Sequence, residues 1–459
     1  MNNIQTTIVI GAGPVGLAAA AHLIAQGIKP IVLEKGQSAG SAMQQWGHVQ
    51  VFTPWKYLID KAVLTLLKKT QWQHPKEDDL ATGQQIVDEY LIPAAATPEL
   101  AQAIIYGAEV IAVAKQNLTK SSSSQREEAG YTVHYQSQDG QYHRVQAQAV
   151  IDASGTWSSP NPIGLDGLPV PGERENADFI TYGIPDVSQQ QKHDYAGKRT
   201  LVLGGGHSAI NVTLDLLKLQ QEHADTKIHW GLRRNNLEKL LGGGINDKLP
   251  ARGELGLAAK HAIDSGALTL LAPLQVDAIE QTAGGLKVSL QVEGKPQQIE
   301  VDRIVVAVGF RPDLNILREL RLDIDEVVEA PRALAPLIDP NKHSCGTVRP
   351  HGVEELAHHD QNFFIAGMKA YGRAPTFLML TGYEQVRSIV AELAGDYEAA
   401  RRVELMLPPT GVCSTKKPAS ANDDAPTASC CGPVDTPKVE VEPASCCASE
   451  PQVAPSCCG

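Results

Sequence analysis

TIVIGAGPVGLAAAAHLIAQGIKPIVLE, residues Thr7–Glu34, decides the fold. A β-branched apolar run gives way to three glycines, then to an alanine-rich stretch, then to a second apolar run closed by an acid. The pattern reads as strand, glycine turn, helix, strand. Gly11, Gly13 and Gly16 stand in the spacing G-x-G-x-x-G, with Pro14 among them. Gly11 permits the tight turn, Gly13 lets the backbone approach a pyrophosphate, and Gly16 lets helix and strand pack closely. The first N–H groups of the helix then face the phosphates, and Glu34 accepts from ribose hydroxyls.

Residues 199–232 repeat the scheme as RTLVL, GGGHSA, INVTLDLLKLQQ and KIHWGL. Gly204, Gly206 and Ala209 mark the turn, with Ser208 beside the last, and Arg233 and Arg234 follow the second strand where the first unit has its acid. Guanidinium groups suit a ribose 2′-phosphate, so this unit is expected to take NADPH rather than NADH. The bland counterpart is a pair of arginines on a solvated loop. His207 either contacts the cofactor or caps the turn. Two dinucleotide sites in one chain make sense when one holds a bound flavin and the other a diffusible hydride donor.

Further stretches carry a resemblance: VIDASGTWSSP (Val150–Pro160), AVGFRPDL (Ala307–Leu314), Gly40 with Trp46, and NFFIAGMKAYGRAP (Asn362–Pro375). With the glycine turns, they make residues 5–400 resemble flavoproteins with two dinucleotide-binding domains. That class includes flavin-containing monooxygenases and pyridine nucleotide–disulfide oxidoreductases. The resemblance implies an α/β fold with two Rossmann-like domains, the NADPH domain (196–311) inserted in the FAD domain (1–195 and 312–407). It adds Trp46, Ser154, Gly155, Gly367 and Met368 to the expected cofactor contacts.

Three departures from the class matter. No cysteine stands soon after the first unit or inside the second, so a flavin-adjacent dithiol lacks its reagents. The linker FITYGIPDVSQQQKHDY has Phe179 and Gly183 but no histidine four residues beyond the glycine; His193 and Tyr195 are displaced. Met368 follows Gly367 where related flavoproteins place an aspartate on the ribityl chain, and backbone N–H groups near Gly367 and Lys369 are left to reach the flavin.

The chain has 459 residues, with 52 acidic against 40 basic and a formal charge of -12, which disfavours nucleic acid and anionic membranes as partners. There is no apolar run long enough to span a bilayer and no charged leader, so a cytoplasmic protein is expected, either monomer or homo-oligomer. Of eight cysteines only Cys345 precedes residue 400, so disulfides do not staple the globular part. Residues 109–150 and 268–308 read as short strands, and SSSSQREE between the first two as a solvated hairpin tip.

For chemistry over the flavin, WGHVQVFTPW (Trp46–Trp55) offers His48 as a proton-handling group. His343 and His351 flank Cys345 and would favour its thiolate; a buried, inert thiol is the alternative. Residues 408–459 change to Pro, Ala, Ser, Thr and acids without apolar periodicity, so a disordered tail is expected. It carries three adjacent pairs: Cys430 with Cys431, Cys446 with Cys447, and Cys457 with Cys458. Adjacent thiolates on a flexible chain can converge on a soft ion such as arsenic(III), zinc, mercury or copper(I). The tail and the core stretch LPPTGVCS resemble flavoproteins encoded with arsenic-resistance systems.

The sequence therefore points to an FAD-dependent, NADPH-oxidising oxidoreductase, monooxygenase-like and linked to arsenic or soft-metal resistance. An NADPH-dependent reductase of a disulfide, quinone or metal species stands as the alternative. A reading of another class makes the protein a metal-binding chaperone whose working part is the tail.

Overall fold

A computed structural model describes residues 4–235, 250–341, 348–374 and 377–405. Two of the expected catalytic residues, His343 and Cys345, lie outside the described residues. So do all six expected metal ligands of the tail: Cys430, Cys431, Cys446, Cys447, Cys457 and Cys458.

The apolar runs around the first glycine turn become β1 (Thr6–Ile10) and β2 (Lys29–Glu34), joined by α1 (Pro14–Ala25). With β3 (Ile104–Tyr106), β4 (Ala149–Asp152) and β10 (Phe363–Ile365) they form a parallel sheet ordered β10-β4-β1-β2-β3. The second unit builds the same object. β5 (Ile180–Tyr182), β6 (Arg199–Leu203), β7 (Lys227–Gly231), β8 (Thr269–Leu271) and β9 (Arg303–Val306) lie parallel in the order β5-β9-β6-β7-β8. Helix α2 (His207–Glu222) joins β6 to β7, and α3 (Pro250–Asp264) precedes β8. Parallel strands covered on both faces are buried along their length, and all four residues of β4 are buried, the charged Asp152 among them. Helix α1 packs against α4 (Met379–Leu393) over a core that includes Leu17, Ala20, Val386 and Ile389.

Each half carries an antiparallel three-stranded meander in the same place, before the fourth strand of its repeat. The runs YHRVQAQAVI and IEVDRIVVAVG look continuous in sequence but each divides at one residue. Tyr142–Ala147 ends a meander, Gln148 intervenes, and β4 begins; Lys295–Val301 ends the other, Asp302 intervenes, and β9 begins. At each break one side-chain oxygen takes the backbone N–H of the first strand's opening region. Gln148 Oε1 accepts from Thr6 N at 2.9 Å, and Asp302 Oδ2 accepts from Arg199 N at 2.7 Å. The backbone bond is returned by Gln148 N to Thr6 O and by Asp302 N to Arg199 O. The duplication thus extends to single hydrogen bonds.

The expected solvated tip, SSSSQREE, is corrected at one position. Arg126 is buried and grips Asp360 with Nε and Nη2 at 2.7 and 2.6 Å. A buried guanidinium needs such a bidentate partner, and this one lies far along the chain.

Candidate functional site

The first glycine turn closes where β1 ends and α1 begins. Gly11 has φ +96°, and a Cβ there would meet the Ala153 carbonyl oxygen at 3.0 Å. A Cβ at Gly16 would lie 1.9 Å from the Gly11 carbonyl oxygen, so only glycine lets the helix come this close to the turn. Around Gly13 the same added atom meets nothing within 4 Å. Helix α1 starts at Pro14 with no side-chain cap and no acid in its first turn, which leaves its positive end open.

Glu34 does more than wait at the end of β2. It is nearly buried, and its two oxygens accept from Ala12 N at 2.6 Å and Gly36 N at 2.7 Å. The carboxylate therefore pins the turn itself. The loop beyond it folds back, with Gly40 N donating to the Ala12 carbonyl at 3.1 Å. Trp46 lies against Gly83, whose added Cβ would be 2.8 Å from its ring.

Ser154 and Gly155 follow β4 beside this turn; Gly155 has φ +72° and open space at its Cβ position. Behind them lies a group that sequence reasoning missed. Asp152 and Lys369 are both buried and paired at 2.7 Å, and Ser154 Oγ sits 2.6 Å from Asp152 and 3.1 Å from Lys369 Nζ. Charges inside the apolar runs VIDAS and FIAGMKA were the available signal. Gly367 has φ +72° and donates its N–H to Gln385 Oε1 at 2.7 Å rather than leaving it free. Gln385 in turn donates to His351 Nε2 at 2.8 Å, and His351 Nδ1 donates to the Arg349 carbonyl at 3.2 Å. Burial pushes His351 below its usual range, in keeping with the neutral ring this chain requires. Met368 is half-buried.

In the second turn Gly204 has φ +140°, and a Cβ there would meet the Ala307 carbonyl oxygen at 2.3 Å and the Ala209 methyl at 3.3 Å. Gly206 opens α2 with no side-chain cap and no acid in the first turn, and space at its Cβ position is empty. Trp230 Nε1 donates to the Gly204 carbonyl at 2.9 Å, doing with an indole what Glu34 does with a carboxylate. Ser208, Arg233 and Arg234 are exposed.

The segments after β4 and β9 run between the two halves and meet. Asn161 N donates to Gly309 O at 3.0 Å, Arg311 N to Ser159 O at 2.9 Å, and Trp157 packs on Phe310 at 4.8 Å between ring centres. His48 is exposed on the wall of a groove of about 810 Å³ that Asn211 and Leu214 of α2 and His261 of α3 also line. It stands nearer the second unit than its place in the first would suggest. Phe52, on the same wall, touches His207 edge-on at 5.5 Å. Among the described residues there is no cluster of three or more metal-ligating side chains, and no helix is long and apolar enough to cross a membrane. The tail pairs Cys430 and Cys431, Cys446 and Cys447, and Cys457 and Cys458 are not among those residues.

Comparison with known proteins agrees with this geometry. A family model described as pyridine nucleotide-disulphide oxidoreductase matches residues 8–345. The nitric oxide reductase FlRd-NAD(+) reductase of Klebsiella pneumoniae (strain 342) is 27% identical over 160 residues, which is 35% of this chain and 37% of that one. The chain thus spans less than half the length of the curated relatives it first matches. Among solved structures, bacillithiol disulfide reductase from Bacillus cereus superposes with a TM-score of 0.62 at 19% identity, covering 85% of this chain and 99% of that one. The FAD-bound cadaverine monooxygenase DfoA of Erwinia amylovora gives 0.59 at 14% identity, covering 91% and 100%.

Proposed function

For a chain that belongs to the pyridine nucleotide-disulphide oxidoreductase family, and so is an FAD- and NAD(P)-dependent oxidoreductase, we propose the following division of labour. The first half, 1–195 with 312–407, holds FAD, and the inserted half, 196–311, receives NADPH. One observation carries this: two glycine turns, each opening an uncapped helix at the end of the first strand of its own strand–turn–helix–strand repeat, β1 in one half and β6 in the other. At the first, Gly11, Gly13, Pro14 and Gly16 line the pyrophosphate, Glu34 meets the adenosine ribose, and Ser154, Gly155, Trp46, Gly367 and Met368 border the flavin portion. At the second, Gly204, Gly206 and Ser208 line the pyrophosphate of NADPH, and Arg233 and Arg234 take its 2′-phosphate.

FAD supplies the hydride-accepting and electron-passing chemistry. The chain's own residues orient the two dinucleotides and neutralise their phosphates with helix N-termini. His48 is the candidate proton-handling group at the groove between the halves, with His343 and Cys345, which precede β10 in sequence, as further candidates. In our reading the electrons go to dioxygen in a monooxygenase-like reaction that serves arsenic or soft-metal detoxification. The paired thiols of Cys430 and Cys431, Cys446 and Cys447, and Cys457 and Cys458 would gather the soft ion or metalloid and raise its local concentration.

Oxygen uptake decides the acceptor. NADPH oxidation that requires dioxygen and releases well under one hydrogen peroxide per NADPH, once a metalloid substrate is present, supports oxygenation. Anaerobic NADPH oxidation coupled to reduction of a disulfide, quinone or metal species supports the second reading. Deleting residues 410–459 separates both from a chaperone: an enzyme retains NADPH oxidation, whereas a chaperone loses its only activity.

A further inference from the structure

We infer that Ser154 acts as a one-way hydrogen-bond acceptor for a hydroxyl of the ribityl chain of FAD, its proton turned inward by the buried Asp152–Lys369 pair. The inference rests on FAD occupying the first half and adds which atom of it Ser154 recognises.

The bookkeeping of one hydroxyl leads there. Ser154 Oγ donates its proton to Asp152 Oδ1 at 2.6 Å. It accepts from Lys369 Nζ at 3.1 Å. Lys369 is anchored from the other side by Asp152 Oδ2 at 2.7 Å, and the Ser154 backbone N–H also goes to Asp152 Oδ1, at 3.1 Å. A serine oxygen has one proton and two lone pairs, so a single lone pair is left. Asp152 is 0% and Lys369 2% exposed, while Ser154 is exposed. The pair therefore lies beneath the serine and fixes its polarity from below. A ligand above it can give a hydrogen bond but cannot receive one.

That polarity excludes most of a flavin dinucleotide. Phosphate oxygens are acceptors and find no donor in this hydroxyl; they are served by the N–H groups of the turn. The donors that remain are chiefly the hydroxyls of the ribose and of the ribityl chain. Sheet order separates these two. Glu34 ends β2 on one side of β1, whereas Ser154 follows β4 on the other side, and the glycine turn follows β1 between them. A Cβ at Gly11 would lie 3.2 Å from Ser154 Cα, so the serine borders the turn directly. With the pyrophosphate at the turn and the ribose toward Glu34, the ribityl chain leaves toward Ser154. Met368 provides no carboxylate on that side, and the fixed serine lone pair supplies the acceptor.

The pair also has the energetic profile of a positioning device. Burying both charges gains little net stability, but removing one alone leaves the other unpaired. Lys369 and Asp152 act through Ser154 and are positioning residues for it.

The test is apoprotein titrated with FAD and with FAD analogues deoxygenated singly at ribityl C2′, C3′ or C4′. The expected result is that one analogue binds wild type about tenfold more weakly than FAD, the scale of one hydrogen bond. Ser154→Ala is expected to bind FAD about tenfold more weakly and to treat that analogue like FAD, with the apoprotein melting temperature unchanged. Lys369→Met should weaken FAD binding in the wild-type background and by less than twofold more in the Ser154→Ala background. The inference is overturned if Ser154→Ala binds FAD as tightly as wild type. It is equally overturned if all three analogues bind wild type like FAD, or if Lys369→Met weakens both backgrounds alike, as a purely structural pair would. Should Lys369→Met fail to fold, Ser154→Ala with the analogue series decides alone, because it leaves the ion pair intact. A wild-type protein that binds no FAD at all defeats the FAD reading itself, an outcome distinct from each of these.

Discussion

The two halves solve one problem with different chemistry. Each closes a glycine turn between the first strand of its repeat and an uncapped helix, and each ties the turn to the second strand of that repeat. The first uses a carboxylate, Glu34, gripping backbone N–H groups at 2.6 and 2.7 Å. The second uses an indole, Trp230, donating to a backbone carbonyl at 2.9 Å. The tightness differs as well. In the first, Gly16 has no room for a methyl; in the second, its counterpart Ala209 already has one. A half-buried turn closed by a nearly buried acid suits a cofactor that stays. An open turn followed by two exposed arginines suits one that comes and goes.

Breaking the tighter turn should have the largest effect. Gly16→Val forces a side chain against the Gly11 carbonyl and is expected to cost more than about 3 kcal/mol, with protein purifying free of flavin. Ala209→Gly should cost only about 1 kcal/mol as a helix glycine and leave NADPH oxidation intact. Thermal melts and flavin absorbance of the two variants check the contrast.

Acid should loosen the first half more than the second, which holds fewer histidines with depressed values among the described residues. Burial holds His358 down at about 4, from an ordinary 6.5, and pushes His351 down too, both in the half that contains β10, whereas in the second half burial lowers His229 on β7. Because their folded values are depressed, the unfolded chain binds more protons below pH 6.5. Stability is thus expected to fall as pH drops from about 6.5 to about 4, by about 1.4 kcal/mol per unit per fully titrating group. Flavin release should accompany the loss. His358→Asn, which can still accept from Asp323 N, should flatten the slope; an unchanged slope would remove His358 from the account.

The smallest effect concerns choice of reductant. Arg233→Ala with Arg234→Ala should raise the KM for NADPH about tenfold, roughly 1.4 kcal/mol, leave NADH unaffected and leave the melting temperature unchanged. Equal losses with both nucleotides would return the arginines to a solvated loop.

Both glycine turns, their helices and most sheet strands were legible because their signals are local: periodicity, glycine spacing and a terminal acid. Arg126 was misread because its partner, Asp360, lies 234 residues away and nothing in SSSSQREE announces it. The runs across Gln148 and Asp302 hid two strands each, since composition does not register a change of sheet. His48 illustrates a different limit. Its neighbours in sequence belong to the first unit, but the groove it lines is built mainly from the helices of the second.

The chain's own letters were enough for the pair of strand–turn–helix units, because glycine geometry and helix termini act over a handful of residues. Only the tertiary structure decided that Asp152, Ser154 and Lys369 form one group, that Gln385 takes the N–H of Gly367, and that a carboxylate and an indole do equivalent work. Those relations depend on which strands lie side by side. A parallel sheet brings together residues whose separation in the chain carries no local trace.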